Sequence, residues 1–425
     1  MFILYNLALT LLSPIWVPWM IWRTRKRQEA PNWKERSGNY DGVVNVRDKK
    51  KNRVWVHAVS VGEVIAAKPF LSQLRQLAPE CEIVLSVTTS SGHQTAREME
   101  MPLFDSLVYF PIDVPKFTLR AMQWVRPDVM VIMETELWYN FLWAADVFDV
   151  RTMIVNGRIS DKAYKTDLKV GFFFRSLFKL MNRCLVQTET DKDRFESLGA
   201  KGVEVFGNTK FDEASSVVSV DANEWREKLG IPTSKRVIVV GSTRSELEEQ
   251  LVVDAFFQLK DVVFVHAPRH IESAGRIIEV FQKQVGSSGK SIGRRSLGES
   301  GDYVVLDTFG ELGSVYSIAD VVVIGGGFDK LGGQNLIQPL ALSKPVIHGP
   351  NMFNFRDVAA SSVRAGCSII CESSNEVATQ IQSLLNDDER RKVMADAAKK
   401  LIADNVGASR RYAEAVIAEM NAVKR

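Results

Sequence analysis

Short apolar runs alternate with helical stretches from residue 54 onward, and this alternation constrains the fold more than any other feature. Each run is rich in Val and Ile and is followed by Gly, Ser, Thr or Asn. Repeats of this kind predict β–α units and therefore doubly wound parallel sheets. The predicted strands of the first half are Val54–Val59, Ile83–Thr88, Val129–Met133, Met153–Val155, Cys184–Gln187 and Val203–Phe206. Those of the second half are Val237–Val240, Val262–His266, Tyr303–Leu306, Val321–Ile324, Pro345–Ile347 and Ser368–Cys371.

The chain is predicted to fold as two Rossmann-like α/β halves joined by a linker. Its 425 residues leave room for two or three domains. The polar stretch 212–235, which contains Pro232, is assigned as the linker. We expect the first domain at 54–211, the second at 236–395, and a C-terminal helix at 396–425.

Residues 1–22 carry no charged side chain and predict a membrane anchor. The apolar run Phe2–Trp22 has about 20 residues, which is enough for one membrane crossing. Asn6, Pro14 and Pro18 weaken a spanning helix, so a shallow helix lying in the interface remains an alternative. The far end of the run carries tryptophans and then cations, as at a cytoplasmic interface, namely Trp16, Trp19, Trp22, Arg23, Arg25, Lys26 and Arg27. A cleavable signal peptide would carry its positive charge before the apolar run.

The net charge of +3 conceals a local basic segment. Residues 23–53 contain eleven Lys/Arg and four Asp/Glu, which gives this juxtamembrane segment +7 and leaves about −4 on the rest. This distribution favours contact with a membrane surface and argues against nucleic acid as a partner. Of the four cysteines, only Cys367 and Cys371 are close in sequence, and no histidine lies near them. Reduced core thiols are therefore expected, and no metal site.

The residues that follow the predicted strands fall into two chemical groups. Ligands of a parallel sheet gather at the carboxyl ends of its strands. The first half places carboxylates and one lysine there, in Ser60–Glu63, Glu134–Glu136 and Gly207–Lys210. The second half places glycines, hydroxyls and arginines there, in Gly241–Arg244, Pro268–His270 and Asp307–Glu311. This division predicts an acid/base half that faces a phosphate-binding half across a cleft.

The stretch from Ala319 to Pro350 combines a strand, two glycine clusters and a helix. The strand ends in Gly325–Gly327, and the pair Gly332-Gly333 precedes a segment of helical composition. Such a loop can turn backbone N–H groups toward an anion, because glycine has no Cβ to hold a phosphate away. It predicts a nucleotide-phosphate site. The alternative is a tight turn that packs a helix on a sheet.

Six of these segments, taken in chain order, resemble the motifs of the Kdo transferases, the glycosyltransferases that add 3-deoxy-D-manno-octulosonic acid (Kdo) to lipid A. The matching segments are Val59–Val64, Met133–Asn140, Gly207–Asp212, Ala267–His270, Asp307–Leu312 and Gly349-Pro350 with Asn354-Phe355. The resemblance spans nearly the whole chain. It implies a two-domain GT-B fold, a CMP-Kdo donor, neither metal nor cofactor, and inverting transfer to a lipid A precursor (lipid IVA). It also implies a location at the inner (cytoplasmic) membrane, with the catalytic domains on its cytoplasmic face.

The resemblance implies catalytic roles for three residues of the first half. Glu63 would be the general base that takes the proton of the acceptor hydroxyl; a Glu at this position could instead only cap a helix. Glu134 would stabilise the transition state, whereas Glu136 is expected to be structural. Lys210 would meet the donor's carboxylate or phosphate as charge develops on the leaving group, the alternative being a solvated lysine.

The resemblance also implies that the second half binds the CMP part of the donor. Arg269 is expected to contact the phosphate with its guanidinium fork, and Pro268 to shape that turn. Glu311 is expected to accept hydrogen bonds from ribose or cytosine groups. The donor-binding candidates are Ser242, Arg244, Pro268, Arg269, Phe309, Gly310, Glu311, Asn335, Leu336, Ile337 and Gln338.

The chain departs from the family's pattern in the second glycine cluster. Gln334 stands where the family usually has His, and Gln338 where it has Glu. A glutamine keeps one carbonyl acceptor but loses the charge, so donor binding could be weaker or differently selective. Two alternatives therefore stay open: another GT-B sugar-nucleotide enzyme, such as a UDP-sugar transferase or epimerase, or a non-catalytic homologue.

Overall fold

The computed structural model of the chain describes residues 1–26, 32–48, 50–99, 103–216 and 221–423. Its residues group into two units, one formed by Met1–Asp212 with Asn405–Arg425 and the other by Glu213–Asp404. Arg27 and Lys49 of the predicted basic segment lie outside the described residues, as do residues 217–220 of the predicted linker.

The first unit contains a parallel sheet of seven strands. They are β1 (Arg53–Ala58), β2 (Glu82–Val87), β3 (Ser106–Tyr109), β4 (Val129–Met133), β5 (Arg151–Gly157), β6 (Arg183–Val186) and β7 (Val203–Val205). The strand order is β3-β2-β1-β4-β5-β6-β7, so the winding direction reverses between β1 and β4. In doubly wound folds ligands bind at the carboxyl ends of the two strands that flank such a switch point.

Nine helices precede the second unit in the described part of the chain. They are α1 (Phe2–Lys26), α2 (Trp33–Arg36), α3 (Val61–Leu77), α4 (Ser90–Arg97), α5 (Pro115–Val125), α6 (Tyr139–Val147), α7 (Asp161–Asp167), α8 (Gly171–Phe178) and α9 (Glu189–Ser197). Trp55 of β1 lies in the hydrophobic cluster on one face of the sheet, and Val54 and Val56 lie in the cluster on the other. Burial on both faces explains why the strands are near-continuous apolar runs.

The second unit contains another parallel sheet of seven strands. They are β8 (Arg236–Thr243), β9 (Val262–Pro268), β10 (Ile292–Arg294), β11 (Tyr303–Val305), β12 (Val321–Ile324), β13 (Val346–His348) and β14 (Ser368–Ile370). The order is β10-β11-β9-β8-β12-β13-β14, which places the switch point between β8 and β12. The remaining helices are α10 (Ala222–Lys228), α11 (Glu246–Phe257), α12 (Ala274–Val285), α13 (Leu312–Val315), α14 (Ile337–Ala341), α15 (Arg356–Arg364), α16 (Ser374–Asn386), α17 (Asp388–Asn405) and α18 (Ala408–Val423).

Helix α18 belongs to the first unit although it lies at the end of the chain. Its buried residues Tyr412 and Val416 join the same core cluster as Phe70 of α3. The carboxylate of Asp212 accepts hydrogen bonds from the backbone N–H groups of Gly407 and Ser409, at 2.5 and 2.7 Å, and so fixes the start of the helix. The sequence pattern predicted this helix but gave no sign of where it packs.

The predicted pair of doubly wound parallel sheets is confirmed, and each of the twelve predicted strands overlaps an observed one. The sequence pattern missed β3 and β10, each of which lies at one edge of its sheet. Both are short, with four and three residues. The opposite edge strands β7 and β14 were predicted, so edge position alone does not explain the difference; β10 contains Gly293 and Arg294 and therefore has no apolar run to recognise.

Candidate active site

The switch point of the first sheet brings together two of the three predicted catalytic residues. Glu63 lies in the first turn of α3, directly after β1, and Glu134 directly follows β4. Because β1 and β4 are paired in register from Val54 with Val129 to His57 with Ile132, the two carboxylates belong to adjacent strand ends.

The carboxylate of Glu63 is buried and accepts two hydrogen bonds. Its Oε2 accepts from the backbone N–H of Val59 at 2.8 Å, and its Oε1 accepts from the Ser60 hydroxyl at 3.2 Å. Burial raises the pKa of Glu63 to about 8, against the hydrogen bond from Val59, and the charges of Glu134 and Glu136 raise it further. The group therefore ties the first turn of α3 to the residue that follows β1, and its raised pKa suits proton transfer near neutral pH.

Glu134 is held in a backbone conformation that non-glycine residues rarely adopt. Its φ is +57°, and its N–H donates to the carbonyl of Val155 at 3.0 Å. Its Oε2 accepts from Nε of Arg158 at 2.8 Å. Left-handed backbone at a non-glycine residue is typical of functional sites, where the surrounding structure over-determines it. Burial and the charge of Glu134 raise the pKa of the neighbouring Glu136.

Lys210 follows β7, three strands beyond β4 in the sheet, and an amide network holds its backbone. Its N–H donates to Oδ1 of Asn208 at 3.0 Å, and the N–H of Thr209 donates to Oδ1 of Asn156 at 3.1 Å. Nδ2 of Asn208 donates to Oε1 of Gln187 at 2.9 Å. These contacts draw the turn after β7 toward the end of β5, the neighbour of β4. Sequence reasoning assigned no role to Asn156 and Gln187, although both lie at strand ends.

The glycine stretch after β12 already holds an anion that belongs to the protein. Oε2 of the fully buried Glu248 accepts from the N–H groups of Gly326 and Arg244, at 2.7 and 2.9 Å. Its Oε1 accepts from those of Phe328 and Asp329, at 3.0 and 3.4 Å. The sequence predicts that Gly325–Gly327 offers its backbone N–H groups to a phosphate. This prediction is wrong for Gly326, because its N–H group already donates to the carboxylate of Glu248.

These glycines allow parts of the backbone to approach each other closely. A Cβ on Gly325 would lie 2.5 Å from Cα of Thr243, and one on Gly349 would lie 2.2 Å from the carbonyl carbon of Gly327. Real Cβ contacts are never so short, so the two loops could not meet as they do with larger residues. At Gly325 and Gly349 the glycines thus serve close packing of loop on strand and loop on loop, whereas the alternative from the sequence was a tight turn that packs a helix on a sheet.

Four donor-binding candidates gather around the ends of β8 and β9. Ser242 has a φ of +62° at an irregularity in β8, and the N–H of the exposed Arg269 donates to the carbonyl of Thr243 at 2.9 Å. Nη1 of Arg244 donates to the carbonyl of Leu331 at 3.2 Å. Pro268 is buried as the last residue of β9 and directly precedes Arg269.

A second group of candidates follows β11. Phe309 is 86% exposed, and the φ of Gly310 is +79°. Glu311 pairs with Arg295 at 3.1 Å and accepts a short hydrogen bond from the Thr308 hydroxyl. Burial acts to raise the pKa of Glu311, but these two partners outweigh it and lower the pKa. Glu311 is therefore ionised at neutral pH.

The run from Asn335 to Gln338 divides into two kinds of residue. The side chains of Leu336 and Ile337 are fully buried in the core, so only their backbone could reach a ligand. Oδ1 of Asn335 accepts from the N–H of Ile337 at 2.8 Å. Oε1 of Gln338 faces the first turn of α13, where a Cβ on Gly313 would lie 3.8 Å from it. Gln338 therefore lies beside the segment that carries Glu311.

Among the residues that the structure describes, no three or more His, Cys, Asp or Glu side chains are grouped so that they could hold a metal ion. The four cysteines are buried free thiols, as expected of core residues.

Comparisons with known proteins agree with this architecture. Residues 31–213 match the sequence model of the family described as 3-Deoxy-D-manno-octulosonic-acid transferase (kdotransferase). A 3-deoxy-D-manno-octulosonic acid transferase of Bordetella pertussis is 32% identical over 97% of this chain and 98% of its own length. A bifunctional glycosyltransferase/methyltransferase of Fusobacterium nucleatum is 30% identical over 80% of this chain, which spans only 53% of that protein.

Solved structures share the fold. Acinetobacter baumannii MurG aligns with a TM-score of 0.58 at 12% identity, over 87% of this chain and 99% of its own. At that identity the likeness shows the fold alone. Together with the two seven-stranded parallel sheets, it confirms the predicted GT-B class.

Proposed function

The chain belongs to the family of 3-deoxy-D-manno-octulosonic acid transferases, and from that premise we propose that it transfers Kdo from CMP-Kdo to a lipid A precursor, lipid IVA, with inversion. The observation that carries this proposal is the buried carboxylate of Glu63 at the switch point of the first sheet, next to Glu134. A carboxylate with a raised pKa at this position suits a base that activates a hydroxyl group.

In the proposed reaction, Glu63 takes the proton of the acceptor hydroxyl while that oxygen attacks the anomeric carbon of Kdo. The new C–O bond forms as the bond from the anomeric carbon to the phosphate oxygen breaks, and CMP leaves with the bonding electrons. A single displacement of this kind inverts the anomeric centre, in line with the one-base logic of inverting sugar chemistry. The proton then passes from Glu63 to solvent.

Glu134 and Lys210 have electrostatic roles in this proposal. The charge of Glu134 would stabilise the positive character that develops on the sugar ring, and its ion pair with Arg158 holds the side chain in place. The ammonium of Lys210 would offset the charge of the donor's carboxylate or phosphate. The fixed backbone at this position supports this role, because Asn208 accepts from the N–H of Lys210 and Asn156 accepts from the N–H of Thr209.

The second unit is proposed to bind CMP. The loop around Ser242, Arg244 and Arg269 would hold the phosphate, since the nearby amide groups already serve Glu248 and the positive charge must come from guanidinium groups. Gln338 and the segment Phe309–Glu311 would meet the ribose and base. Because Glu311 is already paired with Arg295, a nucleotide hydroxyl that donates to Glu311 would share the Glu311 carboxylate with that arginine.

The decisive experiment is transfer of Kdo from CMP-Kdo to lipid IVA by the purified full chain. Product with the inverted anomeric configuration is the expected result. A chain that binds CMP-Kdo and lipid IVA but forms no product would be a non-catalytic homologue, and a chain that prefers a UDP-sugar would be a different GT-B enzyme.

The proposed base predicts how the reaction depends on pH. With a pKa of about 8, Glu63 is mostly protonated at pH 7 and mostly ionised at pH 9. Only the ionised form can accept a proton, so kcat/KM should rise about tenfold per pH unit below pH 8 and level off above it. A kcat/KM profile from pH 6 to pH 9.5 measures this. A profile that is flat across that range would remove Glu63 from the role of base.

We also propose that α1 lies along the membrane surface instead of crossing the bilayer. Phe2–Trp22 is long and apolar enough to span a membrane, with a mean hydropathy of 1.4. Yet Tyr5 donates to Asp113 at 2.8 Å, and Nδ2 of Asn6 donates to Oδ1 of Asn140 at 2.8 Å. The half-buried residues of α1 follow one face along its length: Phe2, Tyr5, Asn6, Leu9, Ser13, Trp16, Val17, Met20, Ile21 and Thr24.

These contacts favour the in-plane arrangement for a geometric reason. In a spanning helix with its basic end at the cytoplasm, Tyr5 would lie about 25 Å from that end, on the far side of the bilayer. It could not then reach Asp113. A protease site fused ahead of Met1 should be cleaved in inside-out vesicles and protected in spheroplasts. Cleavage from outside intact spheroplasts would favour the spanning helix.

A further inference from the structure

We propose that the cavity between α1 and the body of the first unit binds an acyl chain of the glycolipid acceptor. This inference rests on the proposed function. The cavity, here called the α1 cavity, has a volume of about 310 Å³, within the range of small-ligand sites. Its lining includes Tyr5, Leu9, Trp16, Met20, Phe110 and Trp138, and its polar members include Arg36, Thr88 and Asp113.

The lining of the α1 cavity is predominantly apolar, as an acyl chain requires. Leu9, Trp16 and Met20 of α1 form one wall, and Phe110 and Trp138 are among the residues that face them. The opposite face of α1 is exposed and also apolar, with Leu7 and Leu11 among its residues. In the in-plane arrangement that face lies in lipid, so a chain that leaves the bilayer beside α1 passes from one apolar environment to another.

Two polar atoms of residues that line the α1 cavity lack a hydrogen-bond partner. They are Oγ1 of Thr88 and Nε1 of Trp138, both buried and without a partner in the described part of the chain. Each can donate a hydrogen bond, and a buried donor without an acceptor destabilises the protein, so a ligand that supplies an acceptor is favoured there. A single acyl carbonyl has two lone pairs and could accept from both. The cavity therefore suits a chain that carries an ester or amide carbonyl better than a plain hydrocarbon.

The α1 cavity lies beside the proposed catalytic carboxylates. Thr88 ends the turn after β2, and the N–H of the next residue, Thr89, donates to the carbonyl of Val59 at 3.2 Å. The N–H of that same Val59 donates to Glu63. Trp138 continues the segment that begins with Glu134. A lipid held by its chain in the cavity would thus present its sugar near the carboxylates, which a bulk phospholipid has no reason to do.

The first test fills the α1 cavity from the helix side. Leu9→Trp places a larger side chain into the cavity, and Leu11→Trp places the same side chain on the 69%-exposed outer face as a matched control. For the acylated lipid A precursor, Leu9→Trp should raise KM about tenfold at unchanged KM for CMP-Kdo, and Leu11→Trp should leave both near wild type. With the deacylated, water-soluble form of the same acceptor, wild type, Leu9→Trp and Leu11→Trp should have the same acceptor KM.

The second test removes one orphaned donor without changing shape. Thr88→Val should raise the KM for the acylated acceptor several-fold and leave the melting temperature equal or higher, because Oγ1 has no protein partner to lose. A purely structural Thr88 would instead lower the melting temperature at constant KM.

The outcomes separate this inference from the function on which it rests. If wild type transfers no Kdo to either acceptor, the proposed function fails. If wild type is active and Leu9→Trp behaves like Leu11→Trp, the acyl-chain site fails alone. If Leu9→Trp raised the acceptor KM equally for the acylated and the deacylated acceptor, the cavity would hold a membrane phospholipid or would only anchor α1. That result would also overturn the inference.

Discussion

Glu63→Gln is expected to lower kcat for Kdo transfer by about a thousandfold, within the range of about 10²–10⁴ for loss of a general base. Glutamine keeps a carbonyl oxygen that can accept from the backbone N–H of Val59, so this hydrogen bond survives. It cannot accept a proton at any working pH. The variant therefore separates the two roles that the carboxylate combines, and steady-state transfer from CMP-Kdo to lipid IVA measures the difference.

The stability of Glu63→Gln provides an independent check. The folded-state pKa of about 8 lies above the ordinary value of 4.5, so folding favours the protonated form. Its contribution to stability is complete below about pH 4.5 and is lost as the pH rises through 8. Glutamine does not ionise, so at pH 9 the free energy of unfolding of the variant should exceed that of wild type by on the order of 2 kcal/mol. Its melting temperature at pH 9 should be correspondingly higher.

Glu136→Gln is the matched control for this experiment. Glu136 belongs to the same group of carboxylates and also has a raised pKa, but it is expected to be structural. Its substitution should change kcat less than fivefold. Were Glu136→Gln to abolish transfer while Glu63→Gln retained more than a tenth of it, the assignment of the base would have to move to Glu136.

The sequence predicted the parts of the fold that depend on local pattern. Buried parallel strands must be continuous apolar runs, and so β1, β4 and β12 were evident. The packing of α18 on α3 was not, because it depends on Asp212 meeting Gly407 and Ser409 nearly 200 residues later. No periodicity encodes a contact of that sequence separation.

For the candidate site, too, the sequence predicted the residues at strand ends but not their three-dimensional surroundings. Strand ends gave Glu63 and Glu134, because the carboxyl ends of neighbouring strands share an edge of the sheet. The environment that raises the pKa of Glu63 was not visible, since it depends on burial in three dimensions. The amide network of Asn156, Gln187 and Asn208 was missed for the same reason. The glycine stretch was misread because Glu248, 78 positions before Gly326, supplies the anion.

Glu248→Ala is expected to destabilise the second unit by about 4 kcal/mol or more. The substitution leaves the backbone N–H groups of Gly326, Phe328, Asp329 and Arg244 without their acceptor, and the first of these lies in a fully buried place while the other three are partly buried. Each unsatisfied buried donor costs about 1–3 kcal/mol, and water that enters the cavity offsets part of the sum. Hydrogen exchange followed by mass spectrometry should show lost protection in β8 and β12 with β1 and β4 unchanged.

Glu246→Ala is the control for that substitution, since it removes a carboxylate from the same turn of α11. The Glu246 side chain is 78% exposed and lies 3.5 Å from Arg276, so its loss should cost less than about 1 kcal/mol. If Glu248→Ala unfolded no more readily than Glu246→Ala, the glycine loop would not depend on the internal carboxylate. Its N–H groups would then be available to a phosphate after all, and Glu248 would be a displaceable occupant of the nucleotide site. Strong destabilisation, in contrast, would mean that these N–H groups are committed to the internal carboxylate, which favours the proposal that the guanidinium groups of Arg244 and Arg269 supply the phosphate contacts of the second unit.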